Sequence, residues 1–176
     1  MNVYAEMLNA VLLPSAFMLD TSFFPKLMTL VVEDREVLSS SYEYKRVKKW
    51  RAKKRVSLLG VDVLAIPVFN GSHWAMCAVY PAPQRIVLCD SYPGCIRPEW
   101  VLKVRDHGAS AGSDRAAAQN VRDWVRDEST EAARTGSTTA LPFREEEWKL
   151  EVLPCATQGN AFDCGACVCD NKSRAE

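Results

Sequence analysis

The sequence predicts an α+β fold in which helices pack around a central, mainly antiparallel sheet. Three observations lead to this prediction. Of the 176 residues, 48% are apolar, which is enough for a core. Three β-like segments follow one another with only short turn sequences between them, and helical patterns precede and follow that run. A chain of this length ordinarily forms one domain, so a single domain over residues 1–176 is expected.

The first part of the chain predicts an amphipathic helix. Its apolar residues recur at helical spacing until Pro14, and they are Val3, Met7, Ala10 and Val11. Residues 23–32 are apolar enough to be buried, although their pattern does not separate helix from strand. Residues 42–55 predict a second helix, with Val47 and Trp50 on its packed side and charged residues on the other.

The predicted strands lie in the middle of the chain. The segments VDVLAIPVF (61–69), HWAMCAVY (73–80) and RIVLCD (85–90) are separated by NGS and PAPQ, which are turn sequences. Residues 73–80 are apolar on both alternating faces, as expected of a central strand that is covered on both sides. Consecutive strands joined by short connections ordinarily lie side by side.

Two further elements are predicted in the second half of the chain. A helix is expected over 113–128, with Ser113 as its N-cap and an apolar stripe of Ala117, Val121, Trp124 and Val125. Residues 128–145 are polar and predict a loop. A fourth strand is expected over 148–153, with alternate residues facing inward: Trp148, Leu150 and Val152.

Charge and hydropathy exclude several classes of protein. The formal net charge is zero, so the chain as a whole shows no signature of nucleic-acid or membrane binding. No apolar run reaches the roughly 20 residues that span a bilayer. The opening MNVYAEMLNAVLLPSA lacks the basic start of a secretory signal. Most of the seven cysteines are dispersed, which favours reduced thiols in an intracellular protein over a disulfide framework.

Four residues offer the chemistry of a thiol hydrolase. Cys164 follows a glycine-containing loop and opens a predicted short helix, whose N–H groups favour a thiolate. His73 opens a central strand and Asp90 ends the next one, so these ends adjoin in an antiparallel pair. Asp90 can then accept a hydrogen bond from one imidazole nitrogen and leave the other for the thiol. Gln158 can complete an oxyanion hole with the backbone N–H of Cys164.

Each of these residues, taken alone, also fits an ordinary structural role. His73 fits a core histidine, Asp90 a turn, Cys164 an inert buried thiol and Gln158 a solvated side chain. The other histidine, His107, lies in a connection rich in glycine and serine, where an exposed ring is expected.

The segments SHWAMCAVY, RIVLCDS and QGNAFDCGACVC, taken together, resemble the Ulp1/SENP family of ubiquitin-like-protein proteases. The family pattern reads His-Trp, Asp-Ser after the next strand, Gln, and then Asn-x-x-Asp-Cys-Gly followed by a helix. It falls here on His73-Trp74, Asp90-Ser91, Gln158 and residues 160–165. Residues 2–13 also resemble the early helix of that family, so the resemblance extends over most of the chain.

The resemblance implies a papain-like cysteine protease domain over residues 1–176, shortened at both ends relative to the family pattern. It implies cleavage after the C-terminal Gly-Gly of a SUMO-like modifier, in precursors or conjugates, through an acyl-enzyme. The implied partners are a SUMO-like or other ubiquitin-like modifier and its conjugates, with no nucleic acid and no membrane. A monomer without cofactor or metal, in the nucleus or cytoplasm, is expected.

The resemblance also implies a role for each site residue. Cys164 is the nucleophile, His73 the general base and acid, Asp90 the residue that orients the histidine, and Gln158 the oxyanion donor. Trp74 covers a narrow channel that holds the Gly-Gly tail, because a flat aromatic wall admits glycine and rejects larger side chains.

The sequence departs from the family pattern in three ways, and the first two support an alternative function. No Trp-Leu-x-Asp block precedes the first helix, the sequence after the cysteine turns to DNKSRAE, and polar residues lengthen the stretch over 105–145. The alternative is a catalytically weak or inactive module that binds a ubiquitin-like modifier. Acyl transfer by the same site residues is a further alternative.

The cysteines near the end of the chain allow two other hypotheses. A zinc site would use Cys155, Cys164, Cys167 and Cys169, but these residues do not form two well-separated ligand pairs. A redox pair would use Cys164 and Cys167, but no βαβ pattern surrounds them.

A basic run occupies residues 45–55, with eight basic residues and no acidic one. It fits the solvated side of a helix packed through Val47 and Trp50. It also fits a nuclear-targeting patch, or a surface that meets an acidic face of the modifier and speeds encounter.

Overall fold

The computed structural model describes residues 2–12, 15–28, 31–33, 36–39, 42–50, 57, 59–69, 73–91, 112–137 and 142–154. The helices in these ranges are α1 (Asn2–Leu12), α2 (Phe23–Met28) and α3 (Gly112–Arg134), with short 3₁₀ helices at Tyr44–Arg46 and Glu145–Glu147. The strands are β1 (Ala16–Met18), β2 (Val31–Glu33), β3 (Glu36–Ser39), β4 (Val63–Phe69), β5 (Trp74–Tyr80), β6 (Arg85–Asp90) and β7 (Lys149–Pro154).

A five-stranded mixed sheet organises the fold and confirms the α+β class. Its strand order is β1-β4-β5-β6-β7, while β2 and β3 form a separate antiparallel pair. The two central pairs, β4 with β5 and β5 with β6, are antiparallel because short connections join them. The two edge pairs, β1 with β4 and β6 with β7, are parallel because long stretches of chain separate their strands.

The two faces of this sheet bury clusters of different size. The large cluster joins one sheet face to α2, α3 and residues 47–50, and in it Phe23 meets the rings of Trp50 and Trp124 edge to face at 5.6 and 5.1 Å. The small cluster lies on the opposite face under α1 and consists of Ala5, Met18, Ala65 and Met76, with Trp74 and Cys89 packed against it. Both faces of the central strands are therefore covered, as the sequence of β5 predicts.

The amide side chain of Asn9 ties α1 to the edge strand β1. Its Nδ2 donates to the Met18 carbonyl at 2.8 Å, and the Met18 N–H donates to Asn9 Oδ1 at 2.6 Å. These bonds satisfy backbone groups of an edge strand that would otherwise face another chain or water. None of the helices in the described ranges combines the length and apolarity needed to cross a bilayer.

The helix predicted over 113–128 begins at Gly112 and runs on to Arg134. Ser113 therefore lies inside the first turn, and the prediction of a loop from residue 128 is wrong for residues 128–134. The first polar residues there, Glu128 and Ser129, are buried in the protein, whereas Thr130 and Arg134 are exposed. Glu128, which is only 3% exposed, accepts a hydrogen bond from the Tyr44 hydroxyl at 2.9 Å.

The segment 42–50 differs from the helix predicted over 42–55. It contains a 3₁₀ helix at Tyr44–Arg46 followed by a turn, and residues 51–56 lie outside the described ranges. Burial of Val47 and Trp50 is as predicted. The basic residues between and around them are exposed, namely Lys45, Arg46, Lys48 and Lys49. Within the described part of the basic run, the chain therefore has a solvated basic side and a packed apolar side.

Val152 lies on the predicted core side of β7, since it pairs with Leu88 of the large cluster, but its side chain is not buried as expected of an inward residue. Trp148 is buried and Leu150 packs partly against the large cluster, but Val152 is 49% exposed. The reason is its place on β7, which is an edge strand of the sheet. An edge strand has a neighbour on one side only, so its face toward the core is incompletely covered.

Candidate active site

One end of the sheet gathers the polar residues that the sequence singles out. His73 directly precedes β5, and Asp90 is the last residue of the antiparallel neighbour β6. Since Cys89 lies opposite Met76, His73 and Asp90 are diagonal neighbours on one face of the sheet. Side chains in this relation lie within reach of each other.

A short hydrogen bond joins the two side chains. The distance from His73 Nε2 to Asp90 Oδ1 is 2.6 Å, and only 7% and 1% of the two side-chain surfaces are exposed. Because an ionised carboxylate can only accept, Nε2 donates its proton to Oδ1. The structure thus brings together His73 and Asp90, as the sequence predicts, and holds the ring through its Nε2 nitrogen.

The end of β7 leads to the same place. β6 and β7 are parallel, and Pro154 at the end of β7 is the register partner of Asp90. Gln158 and Cys164 follow Pro154 by four and ten residues in the sequence, and both lie outside the described residues. The described part of the site is therefore the histidine–carboxylate pair together with the strand that carries the chain toward the predicted nucleophile.

Trp74 lies at this end of the sheet, on the opposite face from the His73–Asp90 pair. It is half-buried and packs against the small cluster under α1. Its ring stacks on Phe69 with centroids 4.4 Å apart and planes tilted by 31°. Sequence reasoning missed Phe69, although its position at the end of β4, directly before a turn and the His-Trp pair, was a usable signal.

Two other cysteines lie in the described part of the chain, and neither forms a disulfide. Cys77 is fully buried in β5, and burial raises the pKa of its thiol well above the ordinary value of 9.0. A thiol in that state stays protonated and is a poor nucleophile. Cys89 is half-buried beside Met76.

No group of three or more His, Cys, Asp or Glu side chains within the described ranges is arranged to hold a metal ion. The residues of the zinc and redox hypotheses, Cys155, Cys164, Cys167 and Cys169, lie outside those ranges.

The mixed sheet and its helices form a papain-like α+β fold, and comparison with known proteins gives the family. Residues 1–174 match the family model described as "Ulp1 protease family, C-terminal catalytic domain". The chain belongs to the Ulp1 protease family.

Solved structures show the same fold. The C-terminal Ulp1 protease domain in complex with Smt3, the yeast ortholog of SUMO, superposes with a TM-score of 0.64 at 21% identity, over 98% of this chain and 61% of that one. A de-sumoylating protease gives 0.60 at 16% identity, over 97% and 57%. The Ulp1-like SUMO protease catalytic domain of Chaetomium thermophilum gives 0.54 at 17% identity, over 97% and 55%. This chain spans less than two thirds of each solved chain.

Proposed function

We propose that residues 1–176 form one cysteine protease domain that cleaves after the C-terminal Gly-Gly of a SUMO-like modifier, in precursors or conjugates. The observation that carries this proposal is the buried hydrogen bond of 2.6 Å between His73 and Asp90. Papain-like catalysis requires a histidine held in one tautomer by a second group, with its other nitrogen directed at a thiol. Membership of the Ulp1 protease family supports the same reaction class.

The proposed reaction begins with transfer of the Cys164 proton to Nδ1 of His73. The thiolate attacks the carbonyl carbon of the terminal glycine, and the oxyanion accepts hydrogen bonds from Gln158 and the backbone N–H of Cys164. The imidazolium, stabilised by Asp90, then protonates the leaving lysine amine as the C–N bond breaks. Water, deprotonated by the same nitrogen, hydrolyses the thioester and restores the thiol.

The choice of Cys164 as nucleophile has three supports. The described cysteines are unsuited, since Cys77 is buried with a raised thiol pKa and Cys89 is half-buried on the opposite face of the sheet from the His73 pair. The strand β7 ends beside Asp90, ten residues before Cys164. The Asn-x-x-Asp-Cys-Gly pattern around this residue is that of the family.

A SUMO-like modifier is the proposed partner. A related Ulp1 domain has been crystallised with Smt3, the yeast ortholog of SUMO. Trp74 lies at the His73 end of the sheet and remains half-buried, which supports a role as an aromatic wall that would exclude larger side chains from a Gly-Gly tail. A thiol nucleophile must stay reduced, so the nucleus or cytoplasm is the proposed compartment.

A suicide probe tests the proposal. A SUMO-like protein whose C-terminal glycine is replaced by propargylamine, so that the alkyne takes the place of the scissile carbonyl, should form a covalent adduct with the wild-type chain. The adduct should be absent with Cys164→Ser and present with the matched control Cys89→Ser, as read by intact-protein mass spectrometry. Binding of the modifier without any adduct would overturn the protease function and support the binding-module alternative. An adduct that survives Cys164→Ser would overturn the assignment of the nucleophile.

A further inference from the structure

Phe69 and Trp74 form an aromatic pair at the end of the sheet that holds His73. They are register partners across the antiparallel strands β4 and β5, so their side chains lie on the same face. The ring centroids are 4.4 Å apart and the planes are inclined by 31°. Tilted and offset arrangements at this distance are favourable for aromatic rings.

The two rings differ in how the rest of the protein holds them. Trp74 packs against the small cluster formed by Ala5, Met18, Ala65 and Met76, and remains half-buried. Phe69 is also half-buried, and its ring meets the indole beyond that cluster. The indole is thus held by aliphatic side chains along the sheet and by a second aromatic ring at the sheet end.

We propose that Phe69 is a positioning residue that fixes the indole of Trp74 as the wall of the glycine channel. It thereby sets how strongly the protein rejects any side chain in the last residues of the modifier. This inference rests on the proposed function, since it concerns the channel through which the Gly-Gly tail would reach Cys164. It names a residue that determines tail specificity without touching the reacting atoms.

Rejection of a side chain requires a wall that does not move. A single methyl group is excluded only if the indole stays within a few tenths of an ångström of one position when the tail enters. A tryptophan side chain at a strand end has alternative rotamers, and a rigid flat neighbour removes them at little entropic cost. Without the Phe69 ring, the indole can retreat from the channel and an alanine can enter.

The experiment compares two substrates that differ by one methyl group. One ends in Gly-Gly and the other in Ala-Gly, each joined to a fluorescent leaving group. For the wild type, kcat/KM should favour Gly-Gly by roughly 10- to 100-fold, the discrimination that one methyl group can produce in a closed site. In Phe69→Ala this ratio should fall about tenfold, chiefly through faster cleavage of the Ala-Gly substrate. Phe69→Tyr keeps the ring and should keep the ratio.

The matched control is the other stacked pair, Phe143 and Trp148, with centroids 5.8 Å apart. Trp148 directly precedes Lys149, and Lys149 pairs with Arg85 at the start of β6. The control pair therefore lies at the opposite end of β6 from Asp90. Phe143→Ala should lower the melting temperature and leave the substrate ratio unchanged. An equal loss of discrimination in Phe143→Ala would show general loosening and overturn the role of Phe69.

A second variant covers the case in which Phe69→Ala does not fold. Phe69→Leu retains most of the apolar volume but lacks the ring, and its ratio should also fall. A folded Phe69→Ala or Phe69→Leu variant with the wild-type ratio would overturn the inference. If the wild type cleaves neither substrate and forms no adduct at Cys164, the proposed function itself fails, and that outcome is distinct from a failure of Phe69 alone.

Discussion

At the scale of single residues, one hydrogen bond between His73 and Asp90 solves two problems of the site. A buried carboxylate is unfavourable unless it is hydrogen-bonded to a partner, and a histidine ring that can rotate is a poor base. The bond of 2.6 Å between Nε2 and Oδ1 addresses both, because it satisfies one carboxylate oxygen and fixes the imidazole tautomer. The orientation of the His73 ring is thus already part of the folded core.

Replacing Asp90 by asparagine tests this arrangement. The amide retains the shape and an acceptor oxygen but removes the charge that stabilises the imidazolium during the proposed reaction. We expect kcat/KM on a SUMO-like substrate to fall by about 10²-fold. Cys164→Ala should cost more, roughly 10⁴-fold or above.

The control for this prediction is Asp62→Asn, which changes an exposed carboxylate just before β4, far along that strand from Phe69. Its kcat/KM should stay within about twofold of the wild type, as for most surface changes. A wild-type rate in Asp90→Asn, measured on protein with an unchanged melting temperature, would show that the carboxylate plays no part in turnover.

Some features of the site can be predicted from the sequence, and others cannot because they depend on contacts between distant segments. His73 and Asp90 can be brought together from strand lengths and short turns alone, because antiparallel neighbours place known ends side by side. The approach of β7 to Asp90 is not predictable in that way, since a parallel pairing between distant segments leaves no local pattern. Phe69 was missed because its role comes from a ring contact across two strands.

At the scale of elements, α1 and β1 depend on one another. β1 has only three residues and lies at the edge of the sheet, so its own ladder holds it weakly. Asn9 supplies two hydrogen bonds to Met18 from the helix side, at 2.8 and 2.6 Å. Through Asn9, α1 occupies the backbone N–H and carbonyl of Met18 as a further β-strand would. Those two groups of the edge strand are then not open to pairing with another chain.

Removing this amide should loosen the edge strand. Asn9→Ala should lower the free energy of unfolding by about 1–3 kcal/mol, the net value of two hydrogen bonds. Asn9→Asp is the matched variant, because it keeps an acceptor for the Met18 N–H and loses the donor to the Met18 carbonyl. Hydrogen exchange at the Met18 amide should be fast in the alanine variant and slow in the aspartate variant. Equal protection in all three proteins would contradict the predicted support of β1 by α1.

The long helix α3 shows where element prediction from sequence fails. Its apolar stripe around Val121 and Trp124 was evident, but the polar residues from Glu128 onward suggested solvent. In the structure Asp127 and Glu128 accept hydrogen bonds from the hydroxyls of Tyr42 and Tyr44. A polar residue that meets a polar partner of the same protein looks, in sequence, the same as one that meets water.

At the scale of the whole molecule, charges link distant parts of the chain. The Glu131 carboxylate on α3 forms a salt bridge with Arg134 on the same helix. It forms a second one with Lys48 of the basic run, with 3.2 Å between Nζ and Oε2. These contacts, led by the hydrogen bond from Arg134, lower the pKa of the Glu131 carboxyl from its ordinary 4.5 to about 2. The ionised form of the Glu131 side chain is therefore more stable in the folded protein than in the unfolded chain.

This difference predicts a pH dependence of stability. A carboxyl whose pKa is lowered on folding stabilises the protein above its unfolded pKa, and that stabilisation is lost as the pH falls toward the folded pKa. Glu131→Gln should therefore be less stable than the wild type near neutral pH, and the difference should shrink between about pH 5 and about pH 2. Urea titrations of both proteins across this range measure it. A difference that does not change with pH would rule out the ionised pair as its source.

The sequence separation of paired strands also favours an order in which the sheet assembles. Strands β4 to β6 meet through short turns, whereas the edges join residues as distant as Ala16 with Val63 and Arg85 with Lys149. Local hairpins close quickly, and pairings across long stretches form later because their loop-closure entropy is larger. β7 is also the last of these strands to leave a ribosome. In the proposed mechanism the thiol meets its base only after that docking, so a nascent chain would carry no proteolytic activity before β7 and Cys164 have been synthesised and β7 has joined the sheet.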